Sequence, residues 1–109
     1  MKNLGQLMKQ AQQAQAKMAE LQAALDQAEV TGQSGGGMVT ITTSAKGDPK
    51  KVKIDPKLVD PNDVQMLEDL ITAAFNDARA KADQVANAEM QRIQSGMGLP
   101  PGLNIPGFN

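Results

Sequence analysis

The residue types that usually perform acid-base or nucleophilic chemistry near neutral pH are missing from this sequence. Histidine and cysteine are both absent among the 109 residues. That removes imidazole acid-base catalysis, imidazole and thiolate metal sites, and the Ser-His and Cys-His nucleophiles. Catalysis would have to rest on carboxylates, and Asp60, Asp63, Glu68, Asp69 and Asp77 crowd the early turns of a predicted helix, where the dipole and solvent account for them. The glycines from Gly32 to Gly37 approach the spacing of a phosphate loop. Met38 and Val39 then stand where such a loop needs Lys and Ser/Thr to hold phosphate and magnesium. No catalytic residue, metal site, cofactor or small-molecule substrate is expected.

The remaining chemistry is the attraction of cations for anions. The formal charge is −1 and the pI about 5.3, which by itself argues against a nucleic-acid binder. The charge is sorted into blocks, however. From Met1 to Ala19 the only charged side chains are Lys2, Lys9 and Lys17. A second basic block holds Lys46, Lys50, Lys51, Lys53 and Lys57, interrupted by Asp48 and Asp55, whereas Asp60 to Asp77 carries acids and no base.

Long elements must position these blocks. Leu4, Leu7, Ala11, Ala14, Met18, Leu21, Leu25 and Ala28 alternate spacings of three and four, a heptad seam that predicts a helix from Leu4 to Ala28. Asn3 and Gln6 look like its capping pair. Val39, Ile41 and Thr43 alternate with polar neighbours, as do Val52 and Ile54 with lysines. These are two half-buried strands joined by Lys46-Gly-Asp-Pro49, and a shorter strand over Val30–Ser34 would complete an antiparallel meander. Asp60-Pro61-Asn62-Asp63 reads as a helix start with Asp60 at the cap, and Val64 to Ile93 keeps helical spacing until Ser95-Gly96. Gly96–Asn109 is rich in Gly and Pro; it is expected to be disordered and dispensable for folding.

The expected fold is therefore α+β, in the order α-β-β-β-α, with residues 1–95 as one domain and 96–109 as a tail. Helices of about 25 and 34 residues would span about 37 and 50 Å, more than the roughly 13 Å radius of gyration of a compact 100-residue domain allows. Both must project beyond the sheet, and the simplest closure sets residues 1–19 beside residues 78–95 as a helical arm. Two aromatics, Phe75 and Phe108, leave a thin core for a small chain, so a homodimer is expected. No apolar run has the length of a signal peptide or membrane span, which points to the cytoplasm. The arm's cations are Lys2, Lys9 and Lys17 from the first helix and Arg79, Lys81 and Arg92 from the second, offset by Asp83 and Glu89. They suit duplex phosphates, with Gln and Asn side chains able to reach groove edges. Single strands are disfavoured because no exposed aromatic platform is expected.

Three strings carry a resemblance: Gly35-Gly-Gly-Met-Val39 entering a strand, Val52-Lys-Ile-Asp-Pro56 leaving one, and Met66-Leu-Glu-Asp-Leu-Ile-Thr-Ala-Ala-Phe-Asn-Asp-Ala78 on the second helix. Over roughly residues 3 to 99 the chain resembles the YbaB/EbfC family of bacterial nucleoid-associated proteins. The resemblance implies a tweezers-shaped homodimer in which the sheets form the joint and helical arms grip double-stranded DNA in the nucleoid. By region it places DNA contacts on Lys2, Lys9, Lys17, Arg79, Lys81 and Arg92. The quoted strings fall on the strands and on the acidic part of the second helix, so they speak for the fold more than for a DNA contact. The alternative from another class is an adaptor that docks a replication or recombination factor without touching DNA.

Overall fold

In the computed structural model, which describes residues 3–96, the chain follows the order helix, three strands, helix. Helix α1 covers Leu4–Gln27, strands β1, β2 and β3 cover Glu29–Ser34, Val39–Ser44 and Pro49–Ile54, and helix α2 covers Val64–Gly96. The strands form an antiparallel meander in the order β1-β2-β3. Short 3-10 turns at Gly35–Gly37 and Pro56–Leu58 connect them to each other and to α2. The first turn needs its glycines, because Gly35, Gly36 and Gly37 all have positive φ, a region that side chains disfavour. The expected tail lies outside the described residues, apart from Gly96.

Alternation sets the two faces of the sheet. Val30, Gly32, Val39, Ile41 and Thr43 are buried under α2, while Thr31 and Gln33 point the other way. Helix α2 lies over β1 and β2, and the closest approach is at Gly32. A Cβ built there would stand 2.2 Å from the Ala78 nitrogen and 2.3 Å from the Ala74 oxygen. Backbone rests on backbone, and the buried side chains of Ala74, Ala78 and Ala82 are small enough to permit it. Beneath the helix, Val39, Ile41, Leu58 and Ala74 form one core cluster, flanked by Ile54, Leu67, Leu70 and Ile71. Ser34 Oγ also donates to the Leu70 carbonyl.

The close seat on β1 leaves β3 largely outside the footprint of α2. Val52, which pairs with Ile41 across the ladder, was expected on a buried face and is instead 52% exposed. Both ends of the predicted caps also move. Asp60 accepts from the Asn62 N–H and closes a turn, so α2 starts later than expected, with Asp63 Oδ1 accepting from the Met66 N–H at 3.3 Å. Asn3 makes no side-chain cap bond; its carbonyl simply accepts from the Leu7 N–H at 2.8 Å.

The largest departure concerns the arm. Leu21 and Leu25 of α1 pack with Ala45 and Ile93, beside Val85 and Ala86. It is therefore the last turns of α1, not residues 1–19, that lie against residues 85–93 of α2. The cause is the connection: Ala28 alone separates α1 from β1, and the Ala45 N–H donates to the Leu25 and Ala28 carbonyls. Helix α1 is thus pinned to the sheet at its C-terminus and must run outward from there. Residues 3–13 are exposed throughout, and the molecule measures 73 × 22 × 17 Å.

Candidate nucleic-acid interface

Six cations are expected along the arm, and the structure distributes the five it describes over four places. Lys2 lies outside the described residues. Lys9 sits on the exposed outer part of α1 and makes no ion pair among the described residues. Lys17 and Arg92 come together across Glu20. Lys17 Nζ is 3.3 Å from Glu20 Oε2, Arg92 Nη2 is 3.5 Å from Glu20 Oε1, and Arg92 Nε is 2.9 Å from Glu89 Oε2. The Lys17 ammonium first, and then the Arg92 guanidinium, hold the Glu20 carboxyl below its ordinary range. Glu89 and then Glu20 raise the Arg92 guanidinium further. All of these groups are open to solvent, so a phosphate can displace a carboxylate here at little cost.

Lys81 belongs to the sheet. Its Nζ is 3.1 Å from Asp77 Oδ2 and donates to the Thr31 carbonyl at 2.9 Å, while the Gln33 N–H donates to Asp77 Oδ2 at 2.9 Å. These contacts occupy the outer edge of β1. The Gln33 N–H, followed by Lys81, holds the Asp77 carboxyl low.

Arg79 faces elsewhere again. With Thr43, Ala45, Phe75, Ala82 and Asp83 it lines a groove of about 370 Å³ on the flank that α2 leaves uncovered. Phe75 in this groove is 42% exposed.

Glu20 is the residue that sequence reasoning missed, since it stands one position past the acid-free stretch ending at Ala19. Its spacing of three from Lys17 was the available signal. Of the five described cations expected of the arm, Lys17, Lys81 and Arg92 are paired with Glu20, Asp77 and Glu89, which leaves Lys9 and Arg79 without an ion pair among the described residues. Among the described residues there is no cluster of acidic side chains able to hold a metal ion, and no helix is long and apolar enough to cross a membrane.

This geometry, a helix-seated meander from which α1 runs outward, has relatives. The profile of the YbaB/EbfC DNA-binding family matches residues 1–97. The chain belongs to that family. A nucleoid-associated protein of Paramagnetospirillum magneticum is 60% identical over 106 residues, covering 97% of this chain and 99% of the relative. One from Granulibacter bethesdensis is 54% identical over the same shares. Among solved structures, an uncharacterized protein from Helicobacter pylori shares the fold with a TM-score of 0.67 at 20% identity, over 86% of this chain and 95% of that one. The family is one of nucleoid-associated DNA-binding proteins rather than of enzymes, in keeping with a sequence that lacks histidine and cysteine.

Proposed function

We propose that this chain binds double-stranded DNA as a homodimer in the bacterial nucleoid, gripping the phosphate backbone with helical arms and reading base sequence little. The observation that carries the reading is the outer half of α1. It is an exposed helical rod that stands clear of the sheet, bears lysines and no acid before Glu20, and offers no aromatic to an unstacked base. Lys2 and Lys9 supply the leading contacts. Lys17 and Arg92 follow by exchanging Glu20 for phosphate, and Arg79 and Lys81 stand nearer the joint. Contacts of this kind add affinity without sequence information.

The homodimer is supported by the flank beside β3. Val52, Phe75 and the Arg79 groove are apolar surface that a small monomer gains by covering. The groove also carries two cations and one acid, Lys46, Arg79 and Asp83, so two copies related by a twofold axis can set the Asp83 of one beside a cation of the other.

Duplex gel shifts over a salt series test the DNA contact. Lys2→Ala with Lys9→Ala should weaken binding and flatten the dependence of log affinity on log salt by up to about four in a dimer. Lys50→Ala with Lys51→Ala should change single-duplex binding much less, and the reverse ranking would defeat the arm. Sedimentation equilibrium tests the assembly, and a stable monomer at micromolar concentration would sink the homodimer. A folded dimer that retards no duplex at low salt would leave the adaptor reading in its place.

A further inference from the structure

Among the described residues no element covers the face of the sheet turned away from α2. Pairing across the ladder sets Thr31, Thr42 and Lys51 in one row and Gln33, Thr40 and Lys53 in the next. Thr31 Oγ and Thr42 Oγ are 3.1 Å apart and hold the first row together. Lys51 and Lys53 are two residues apart, about 7 Å along the strand. Lys50, at the irregularity in the ladder, and Lys57, in the following turn, are exposed close by. None of these four lysines makes an ion pair among the described residues, whereas Lys17, Lys46, Lys81 and Arg92 all do. The nearest acids are spent otherwise or stand aside: Asp55 accepts from the Lys57 N–H, Asp48 lies in the turn, and Glu29 is at the far corner beside Ser44.

Lysines also guard edge strands against unwanted pairing. That role asks for charge along the edge, but not for the hydroxyls and amide of the two neighbouring strands set in rows beside it, as Thr31, Gln33, Thr40 and Thr42 are here. A single-signed, unpaired set of ammoniums flanked by hydroxyls and an amide is instead the surface that takes up backbone phosphates. The absence of any aromatic on these rows disfavours an unstacked single strand. The face lies at the opposite end of α1 from Lys9. Sixteen residues of helix, about 24 Å, separate Lys9 from Leu25 where α1 meets the sheet, well beyond the roughly 8 Å over which charges feel each other at physiological ionic strength.

We infer that the open face of the sheet, through Lys51, Lys53, Thr40 and Thr42, is a second and independent phosphate-binding surface, and that the protein thereby holds two DNA duplexes at once. One duplex lies on the arms and the other on the sheet. The inference rests on the arm reading proposed above, and the experiment separates the two.

A duplex fixed to beads is incubated with the full-length protein and a second, labelled duplex at about 50 mM salt, and the label retained is measured beside single-duplex gel shifts. Wild-type protein should retain the label. Lys51→Gln with Lys53→Gln should lower retention at least about tenfold while changing single-duplex affinity by less than about threefold, since only the contacts of one surface are removed. Lys51→Arg with Lys53→Arg keeps the charge and should retain the label, which separates charge from any effect on folding. Retention unchanged in the Gln pair overturns the second surface and leaves the arm reading standing. Retention lost equally in the Arg pair also overturns it, since a phosphate surface accepts either cation. Wild-type protein that shifts no duplex overturns both.

Discussion

Helix α2 meets the sheet, and helix α1 meets α2, by two different kinds of contact. At Gly32 the helix and strand touch backbone to backbone, with nothing larger than alanine between them. In the arm, Leu21, Leu25 and Ile93 meet through their side chains, and towards its start α1 meets no other described element, with Leu4, Leu7 and Met8 exposed. The joint is specified by the absence of side chains and the arm by their presence. A joint of the first kind tolerates almost no change, because it has no soft atoms to move. An arm of the second kind loses only what is truncated.

The largest effect should come from Gly32→Ala. Its new methyl would overlap the Ala74 and Ala78 backbone, and relief requires α2 to lift from β1, a loss of about 3 kcal/mol or more in thermal or urea unfolding. A cost under 1 kcal/mol would show that the joint is as pliable as the arm. Next, Leu21→Ala should cost about 2 to 3 kcal/mol, since Leu21 is 2% exposed in a cluster thin enough to relax in part. Leu7→Ala, 59% exposed on the same seam, should change stability by less than about 0.5 kcal/mol. If unfolding showed Leu7 to matter as much as Leu21, the outer seam would be covered by another copy or by the tail.

Gly5→Ala inverts the sign of the joint's glycine. Nothing lies within 4 Å of a Cβ there and the residue is helical, so alanine should leave stability unchanged or raise it by up to about 1 kcal/mol.

The smallest effect expected is that of pH. With no histidine, folding stability should be flat between about pH 6 and 8 by urea titration. Asp77 and Glu20 are held below their ordinary values of 3.8 and 4.5. Their contribution is complete above those values and is lost as pH falls through each lowered value, so Asp77→Asn should flatten the acid limb of the profile. An unfolding curve that steepened near pH 6.5 would contradict the flat window, and an acid limb unchanged in Asp77→Asn would contradict the role of Asp77.

The elements themselves could be read from the sequence because periodicity reports them directly. The alternation of Val39, Ile41 and Thr43 and the three-four spacing from Leu4 to Ala28 are local properties of the chain. The register of α1 on α2 could not be read the same way. A heptad seam shows which face of a helix is apolar, and that face looks the same after the helix slides by one or two turns. What fixes the slide is Ala28, a connection of one residue whose shortness becomes apparent only once β1 is seen to begin at Glu29. The pairing of Lys17 was within reach through Glu20. The Asp77–Lys81 spacing of four was equally within reach, but the capture of Lys81 by the Thr31 carbonyl was not, because fifty residues separate the two. The exposure of Val52 follows from a tight seat on β1 that spacing alone cannot announce.

Asp77 and Lys81 occupy the Gln33 N–H and the Thr31 carbonyl, two of the groups an incoming strand would need along the outer margin of β1. The sheet is therefore stoppered on one side, and any strand that joins it must arrive at β3. Two sheets that met there would consume both free margins and present only stoppered ones. Further strand addition would meet a blunted margin at each end of the pair, which hinders this sheet from growing into a fibre at high local concentration.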